Sequence, residues 1–348
     1  MASARHTLER LLTGHDLAEG DAAALLQELT SDSLPPALAG ALLVALRTKG
    51  VTAAEVRGFA GAMRSLSRKP DLPASPDAID IVGTGGDASG SLNLSTGAAL
   101  LTAACGLPVI KHGNRSISSK SGSADLIEAL GLAMPLDEDG AAECFRATGF
   151  TFLFAPYFHP AMKSLAPIRA ALGVRTVFNL LGPLTNPAAP RFLLVGAFDA
   201  DAAKLMAETL AGTPLTRAWV VHGAAGWDEA TPLGPSLCYE VEAGRVKRCD
   251  IDPEAFGIVR CAPADLAGAD AAHNLRELLK VFEGEDQGPH RSALLLQAGM
   301  ALTIAGRALS IGAGIERARE VLSSGVALRW LHRLQQFARD FRTKAIVE

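Results

Sequence analysis

The sequence predicts an α/β protein: a small all-helical N-terminal domain followed by a larger α/β domain with a mainly parallel central sheet. Three observations carry this. Residues 1 to 72 show only helical periodicity. From Ile79 onward, short β-branched runs alternate with helical stretches. Two glycine-rich loops follow two of the predicted strands at close range. Alternation of strand and helix implies a parallel sheet covered on both faces, with ligands beyond the carboxyl ends of its strands. A chain of 348 residues, 49% of them hydrophobic, has room for both units and material for their cores.

In the helical region, Leu8, Leu11 and Leu12 recur at helical spacing, as do Leu25, Leu26 and Leu29, and then Leu42, Leu43 and Leu46. Gly50 can stop the third helix. Thr52-Ala53-Ala54-Glu55 is a capping-box pattern opening the fourth, with Val56, Phe59 and Met63 inside it. Pro70, Pro73 and Pro76 make residues 68–77 a linker. Strands are expected at 79–82, 107–110, 150–154, 192–196 and 218–222. Helices are expected at 96–105, 123–130, 138–148, 160–171, 200–211, 291–305 and 314–342. Residues 238–262 read as an antiparallel excursion around Glu242-Ala243-Gly244-Arg245.

Bulk properties narrow the function. A net charge of -4 gives no reason to expect nucleic acid, which calls for a basic field. The five cysteines are scattered, odd in number and without a Cys-x-x-Cys pair, against a disulfide framework or zinc site and in keeping with a reducing compartment. No signal peptide is legible, and no stretch nears the roughly 18 apolar residues of a membrane span. A cytoplasmic protein with no membrane partner is the expectation.

The chemistry concentrates in a few places. Gly83-Thr84-Gly85-Gly86-Asp87 follows one strand, and Asn93-Leu94-Ser95-Thr96-Gly97 opens the next helix. Bare backbone N–H groups and small hydroxyls there suit an anion, although a glycine-rich strand end can be only a tight turn and Ser95 or Thr96 only a cap. Lys111-His112-Gly113-Asn114-Arg115 follows a second strand, ahead of Ser118, Ser119, Lys120, Ser121, Gly122 and Ser123. Two such loops suit a ligand with two separate phosphate groups. His112 could be a base or a pocket wall. Asp228-Glu229, after the strand ending at His222, could be surface charge or magnesium ligands beside phosphates. Arg169 adjoins the stripe Met162, Leu165, Ile168 and Leu172 of the helix begun by His159-Pro160. It could serve the helix dipole or clamp a carboxylate. The apolar, proline-stiffened run Asn179–Pro187 could be packing or an aromatic slot.

Taken together, these stretches resemble the anthranilate phosphoribosyltransferase family over nearly the whole chain. The most specific are Gly83–Asp87, Asn93–Thr96, Lys111–Arg115, His159–Met162 and Arg175–Pro187. The resemblance implies transfer of the 5-phosphoribosyl group from 5-phosphoribosyl 1-diphosphate to the amine of anthranilate, a step of tryptophan biosynthesis. It implies an active site in the cleft between the domains, magnesium as cofactor and a homodimer. The helical domain, 1–72, also recruits about 160–187, leaving 73–159 and 188–348 as the α/β domain. Carried onto this chain, Gly83, Thr84, Gly85, Gly86, Asp87, Ser91, Asn93, Ser95, Thr96, Lys111 and Ser123 hold the sugar diphosphate. Gly83, His112, Asn114, His159, Arg169 and Pro183 line the anthranilate site, with Arg169 on the carboxylate. Ser95, Asp228 and Glu229 hold magnesium.

The departures are modest: Ala88, Ser91, Ala225, Trp227 and Gln297 stand where the family often has glycine, threonine, an acid, Leu or Ile, and asparagine. Trp227, beside the acidic pair, bears on acceptor identity. Three rivals are a same-fold transferase with another aromatic acceptor, a pyrimidine nucleoside phosphorylase and a non-catalytic nucleic-acid-binding paralogue. The phosphorylase has a second loop rich in Ser-Gly-Arg-Gly, unlike Lys111–Arg115. The paralogue lacks support from the charge balance.

Overall fold

The structure, a computed structural model, describes residues 4–31, 33–73, 76–115 and 120–347, with the backbone alone for 344–347. Four helices come first: α1 (Ala4–Leu12), α2 (Glu19–Leu29), α3 (Pro36–Lys49) and α4 (Ala53–Ser65). The capping box at the start of α4 forms, the Thr52 side chain accepting from the Glu55 N–H while Glu55 accepts from the Thr52 N–H. Glu55 is fully buried, paired with Lys49 at 3.0 Å, and accepts the Leu17 N–H at 2.9 Å. One carboxylate therefore joins α3, α4 and the α1–α2 turn, which is why a charge can sit inside this small bundle.

The α/β part follows as β1 (Ile79–Gly83), α5 (Leu94–Ala104), β2 (Val109–Gly113), α6 (Ser123–Leu130), α7 (Glu138–Thr148) and β3 (Phe150–Phe154). The chain then turns through α8 (Ala155–Phe158), a 3₁₀ turn (Pro160–Lys163), α9 (Ala166–Leu172), α10 (Phe178–Leu181) and a second 3₁₀ turn (Gly182–Leu184). It continues as β4 (Phe192–Gly196), α11 (Ala200–Ala211), β5 (Arg217–His222), β6 (Ser236–Glu242) and β7 (Arg245–Ile251). It closes with α12 (Ala271–Glu283), α13 (Pro289–Ile304), α14 (Ile311–Ser323) and α15 (Val326–Val347).

The seven strands lie in the order β3-β2-β1-β4-β5-β6-β7, the first five parallel and β6 and β7 antiparallel. The hairpin is the expected excursion. Ala243 and Gly244 both have positive φ (49° and 73°), as a two-residue turn matching strand twist requires. The strand order reverses between β1 and β4, which opens a crevice at their carboxyl ends. Side chains alternate across the sheet. Ile81, Leu194 and Val221 enter a core shared with α5 and α12–α15, while Val82, Val195 and Val220 enter one shared with α1–α4 and α11.

Several expectations shift. β2 runs Val109–Gly113 rather than 107–110, so Lys111, His112 and Gly113 belong to the strand and not to the loop after it. Pairing with β3 as far as Gly113–Phe154 extends the strand, an effect absent from local sequence. The helix expected at 160–171 is broken at Ser164 and Leu165, with prolines opening both pieces. The single helix expected at 314–342 is two, parted at Gly325 with φ 71°. α12 was not expected, although Asp270 caps it and Leu278, Val281 and Phe282 bury one face.

Candidate functional site

The crevice between β1 and β4 is closed from above by the loop that follows β5. Gly83 ends β1 and Gly196 ends β4, and both are glycines because that loop lies on them. A Cβ on Gly83 would stand 2.3 Å from Asp228 Oδ2, and one on Gly196 would stand 1.4 Å from the Asp228 carbonyl oxygen. The loop is thus seated by backbone contact, placing Asp228 and Glu229 at the switch point of the sheet.

Each carboxylate is then held by the glycine loop or by the start of α5. Asp228 Oδ2 accepts the Gly85 N–H at 2.6 Å and lies 3.5 Å from the Thr84 hydroxyl. Glu229 Oε1 accepts both the Ser95 N–H at 2.8 Å and the Ser95 hydroxyl at 2.7 Å, and Ser91 Oγ is 3.4 Å from Oε2. Asp87 joins them, its Oδ2 accepting the Asp228 N–H at 3.2 Å while Ser89 caps its Oδ1. Ser95 and Thr96 do not cap α5. The helix starts at Leu94, with Asn93 before it, leaving the Ser95 hydroxyl inside the first turn and aimed at Glu229.

Electrostatically this is a buried, acid-rich pocket. Burial pushes both the Asp228 and Glu229 carboxyls up, and each feels the negative charge of Asp87. A buried cation, Lys111, acts on Glu229, and its amine donates to the Ile81 carbonyl at 2.5 Å. Burial lowers its pKa, while Asp80, Glu229 and Asp228 work to keep it charged. Two desolvated carboxylates beside the Ser95 hydroxyl offer oxygen ligands, which favour a hard divalent cation. Among the described residues no three His, Cys, Asp or Glu side chains form a ready metal cage. Magnesium takes one or two carboxylates and completes its shell with phosphate oxygens and water.

Because Lys111 and His112 are strand residues, they point to opposite faces. His112 meets His159 edge to face, ring centroids 5.0 Å apart, and its Nδ1 lies 3.2 Å from the Gly182 carbonyl. Burial, with smaller contributions from neighbouring cations and rings, lowers His112 to about 3 and His159 to about 4, so both imidazoles are neutral at pH 7. Pro183 is buried in the adjoining 3₁₀ turn, to which Arg64 of α4 donates at the Leu184 carbonyl, 2.5 Å away. Arg169 is half-buried with its guanidinium 5.3 Å from the Phe178 ring centre. Burial lowers its pKa, and among the described residues no carboxylate pairs with it.

The remaining expected residues divide. Gly85 and Gly86 are exposed, although the Gly85 N–H is turned to Asp228 and the Gly86 carbonyl to Arg175. Asn93 is committed to the protein, its Nδ2 donating to the Ser121 carbonyl at 3.1 Å and its Oδ1 accepting from Asn274 at 2.9 Å. Thr96 is buried in α5. Asn114 is exposed, its carbonyl accepting the Ser123 hydroxyl at 3.1 Å. Arg115 is paired with Asp125 and Glu128, as a surface arginine would be. Ser118 and Ser119 lie outside the described residues. Trp227 buries its ring in the core beneath the sheet instead of entering the pocket.

Sequence reading missed Asp80 and Asn186. Asp80 is fully buried in β1, accepts from Asn186 at 2.9 Å and faces Lys111; burial raises it to about 6. Asn186 also donates to the Ile110 carbonyl at 2.8 Å, which ties the 182–187 turn to the strands. An acid inside the apolar run Ile79–Gly83 was the available signal. Arg175 was likewise unassigned; it donates to the Gly86 carbonyl at 2.5 Å and stacks on Phe198.

Comparison with known proteins places this arrangement. A family profile described as "Glycosyl transferase family, a/b domain" matches residues 75–328, and "Glycosyl transferase family, helical bundle domain" matches residues 5–67. Anthranilate phosphoribosyltransferase of Methylobacterium nodulans is 44% identical, covering 96% of this chain and 98% of that protein. The crystal structure of anthranilate phosphoribosyltransferase from Thermus thermophilus is similar with a TM-score of 0.89 and 41% identity, over 96% of this chain and 99% of that one. The Saccharomyces cerevisiae enzyme in complex with PRPP and Mg superposes with a TM-score of 0.88 at 28% identity, over 97% and 98% of the two chains.

Proposed function

This chain belongs to the anthranilate phosphoribosyltransferases of the glycosyl transferase family, and from that premise we propose how its residues divide the work of the reaction. The reaction moves a 5-phosphoribosyl group from 5-phosphoribosyl 1-diphosphate (PRPP) to anthranilate, giving N-(5-phosphoribosyl)anthranilate and diphosphate. The observation that carries the assignment is the buried Asp228–Glu229 pair at the sheet's switch point, beside exposed glycine-loop backbone. Asp228, Glu229 and Ser95 are the magnesium ligands in this reading. When bound, magnesium supplies positive charge to the departing diphosphate.

The other roles follow from position. Gly83–Asp87, with Ser91, Asn93 and Thr96 framing the loop and Ser123 across Gly113, bind the sugar diphosphate. Lys111 adds positive potential from within the sheet. As the C1–oxygen bond breaks, the electron pair leaves on diphosphate, and the anthranilate nitrogen attacks C1 and then loses its proton. No covalent enzyme intermediate is needed. His112, His159 and Pro183 wall the acceptor side, with Gly83 and Asn114 at its edges. Conjugate acids near 3 and 4 make both imidazoles weak bases, so walls describe them better than proton acceptors. Arg169, without a carboxylate of its own, orients the acceptor's carboxylate, and rate comes from that orientation.

The chain divides, in the same reading, into a helical unit (1–72 with about 160–187) and an α/β unit (73–159 and 188–348). Leu165, Phe178 and Leu181 in the core of α1–α4 support this. A homodimer formed through the helical unit is supported by Leu12 and Val44, which α1 and α3 leave 64% and 41% exposed. A cytosolic home fits five cysteines that are all free thiols. No helix among the described residues is long and apolar enough to cross a membrane.

The deciding assay follows anthranilate fluorescence with the sugar diphosphate and magnesium. Consumption that needs both co-substrate and metal supports the reading. Consumption of a substituted benzoate in preference to anthranilate, or of nucleoside with phosphate, would overturn it.

A further inference from the structure

Beside the acidic pair lies a small cavity into which a buried polar side chain brings an amide nitrogen with no partner among the described residues. It is lined by Ile81, Leu194, Val221, Ser95, Asp228 and Glu229, and from α13 by Gln297. Gln297 is 2% exposed, and its Nε2 has no hydrogen-bond partner among the described residues. A buried amide N–H left so is costly, which points to an acceptor it meets when the site is in use. Ile81, Leu194 and Val221 offer only hydrocarbon side chains. The side-chain acceptors facing the same space are Ser95, Asp228 and Glu229, the residues assigned above to the metal.

We infer that Gln297 is a positioning residue for the metal site: its amide donates, through one buried water, to the rear of the Asp228–Glu229 pair. The cavity has room for about one such water, which would find polar partners on several sides. The front of the pair is already arranged by Gly85 and by Ser95, which hold Asp228 Oδ2 and Glu229 Oε1. A donor from behind fixes the rotation of the carboxylates that those contacts leave open, so that the remaining lone pairs face the cation. Partners of this kind orient ligands without touching the metal, and removing one typically weakens metal binding by about 10–100-fold. Gln297 does not approach the His112–His159 side in this arrangement, so acceptor binding should be indifferent to it.

This inference rests on the assignment of Asp228 and Glu229 as metal ligands, and the test separates the two. Mn²⁺ binding, in place of Mg²⁺, is measured by electron paramagnetic resonance on the full chain with the sugar diphosphate present. Wild type is compared with Gln297→Leu, Gln297→Asn and the double variant Asp228→Asn, Glu229→Gln. Loss of about 10-fold or more in Mn²⁺ affinity is expected for Gln297→Leu, with an unchanged KM for anthranilate and partial recovery in Gln297→Asn, which keeps the amide. If leucine prevents folding, Gln297→Met removes the donor with a more adaptable chain and takes its place. Mn²⁺ affinity within twofold of wild type in the folded apolar variant, while the double variant has lost it, would overturn the role of Gln297 alone. Unchanged Mn²⁺ binding in the double variant would overturn the metal-site assignment beneath it.

Discussion

Glu229 is expected to be harmful to the empty fold and necessary to the reaction, so one substitution should move stability and activity in opposite directions. In Glu229→Gln the side chain keeps its length, and its oxygen can still accept the Ser95 N–H and hydroxyl that now lie at 2.8 and 2.7 Å. What disappears is a buried negative charge near two others, Asp228 and Asp87, offset in part by Lys111; among the described residues the second Glu229 oxygen has Ser91 alone, at 3.4 Å. A charge so poorly compensated costs about 1–3 kcal/mol, and its removal should return that amount. At roughly 2–4 °C per kcal/mol, the metal-free variant should melt several degrees above wild type. The order should reverse with magnesium and sugar diphosphate at about 1,000 times their dissociation constants, where binding adds about 4.1 kcal/mol to wild type. Turnover should fall by about 10²–10³-fold, the usual loss when one electrostatic element of a transition-state site is removed. Differential scanning fluorimetry in chelator at pH 7.5, paired with the anthranilate assay, reads both. A variant that melts below wild type without metal, or turns over at the wild-type rate, would refute the reasoning.

Arg169→Ala should raise the KM for anthranilate about 10-fold or more and leave that for the sugar diphosphate unchanged, because among the described residues the guanidinium has no carboxylate to release; a shift confined to the donor's KM would reassign it. Gly196→Ala puts a methyl where the Asp228 carbonyl stands 1.4 Å away, so the acid loop must move; a drop of about 100-fold in turnover is expected, and near-normal activity would show that the loop is not seated there. The buried histidines set a pH dependence. His159 falls from 6.5 in the unfolded chain to about 4 in the fold, so below pH 6.5 the unfolded state takes up a proton that the fold refuses. Its contribution is complete above pH 6.5 and is lost as pH falls toward 4, on the order of 1 kcal/mol per pH unit. Asp80, raised to about 6, acts with the opposite sign, so the measurement must be differential. Denaturant unfolding of wild type and His159→Phe between pH 7 and 4.5 should give diverging curves, with wild type losing more; parallel curves would exclude the shift.

The sequence by itself determined those features whose cause is local. Helical spacing of leucines fixes α1–α3, Thr52 and Glu55 cap α4 within four residues, and glycines end β1 and β4 where a backbone must come close. The chemistry of the two loops was also legible, since glycines, hydroxyls and paired acids announce phosphate and a hard cation by residue type. Only the tertiary structure decided what arises between distant segments. Pairing with β3 carries Lys111 and His112 into the strand, which sends one toward the acids and the other toward His159. Asn93, expected as a phosphate donor, spends its amide on Ser121 and Asn274 from two other segments. Asp80 can lie in an apolar strand only because Asn186, 106 residues away, and Lys111 meet it there. A buried polar group is tolerable when its partners arrive, and the sequence names candidate partners without saying which of them the sheet will bring within reach.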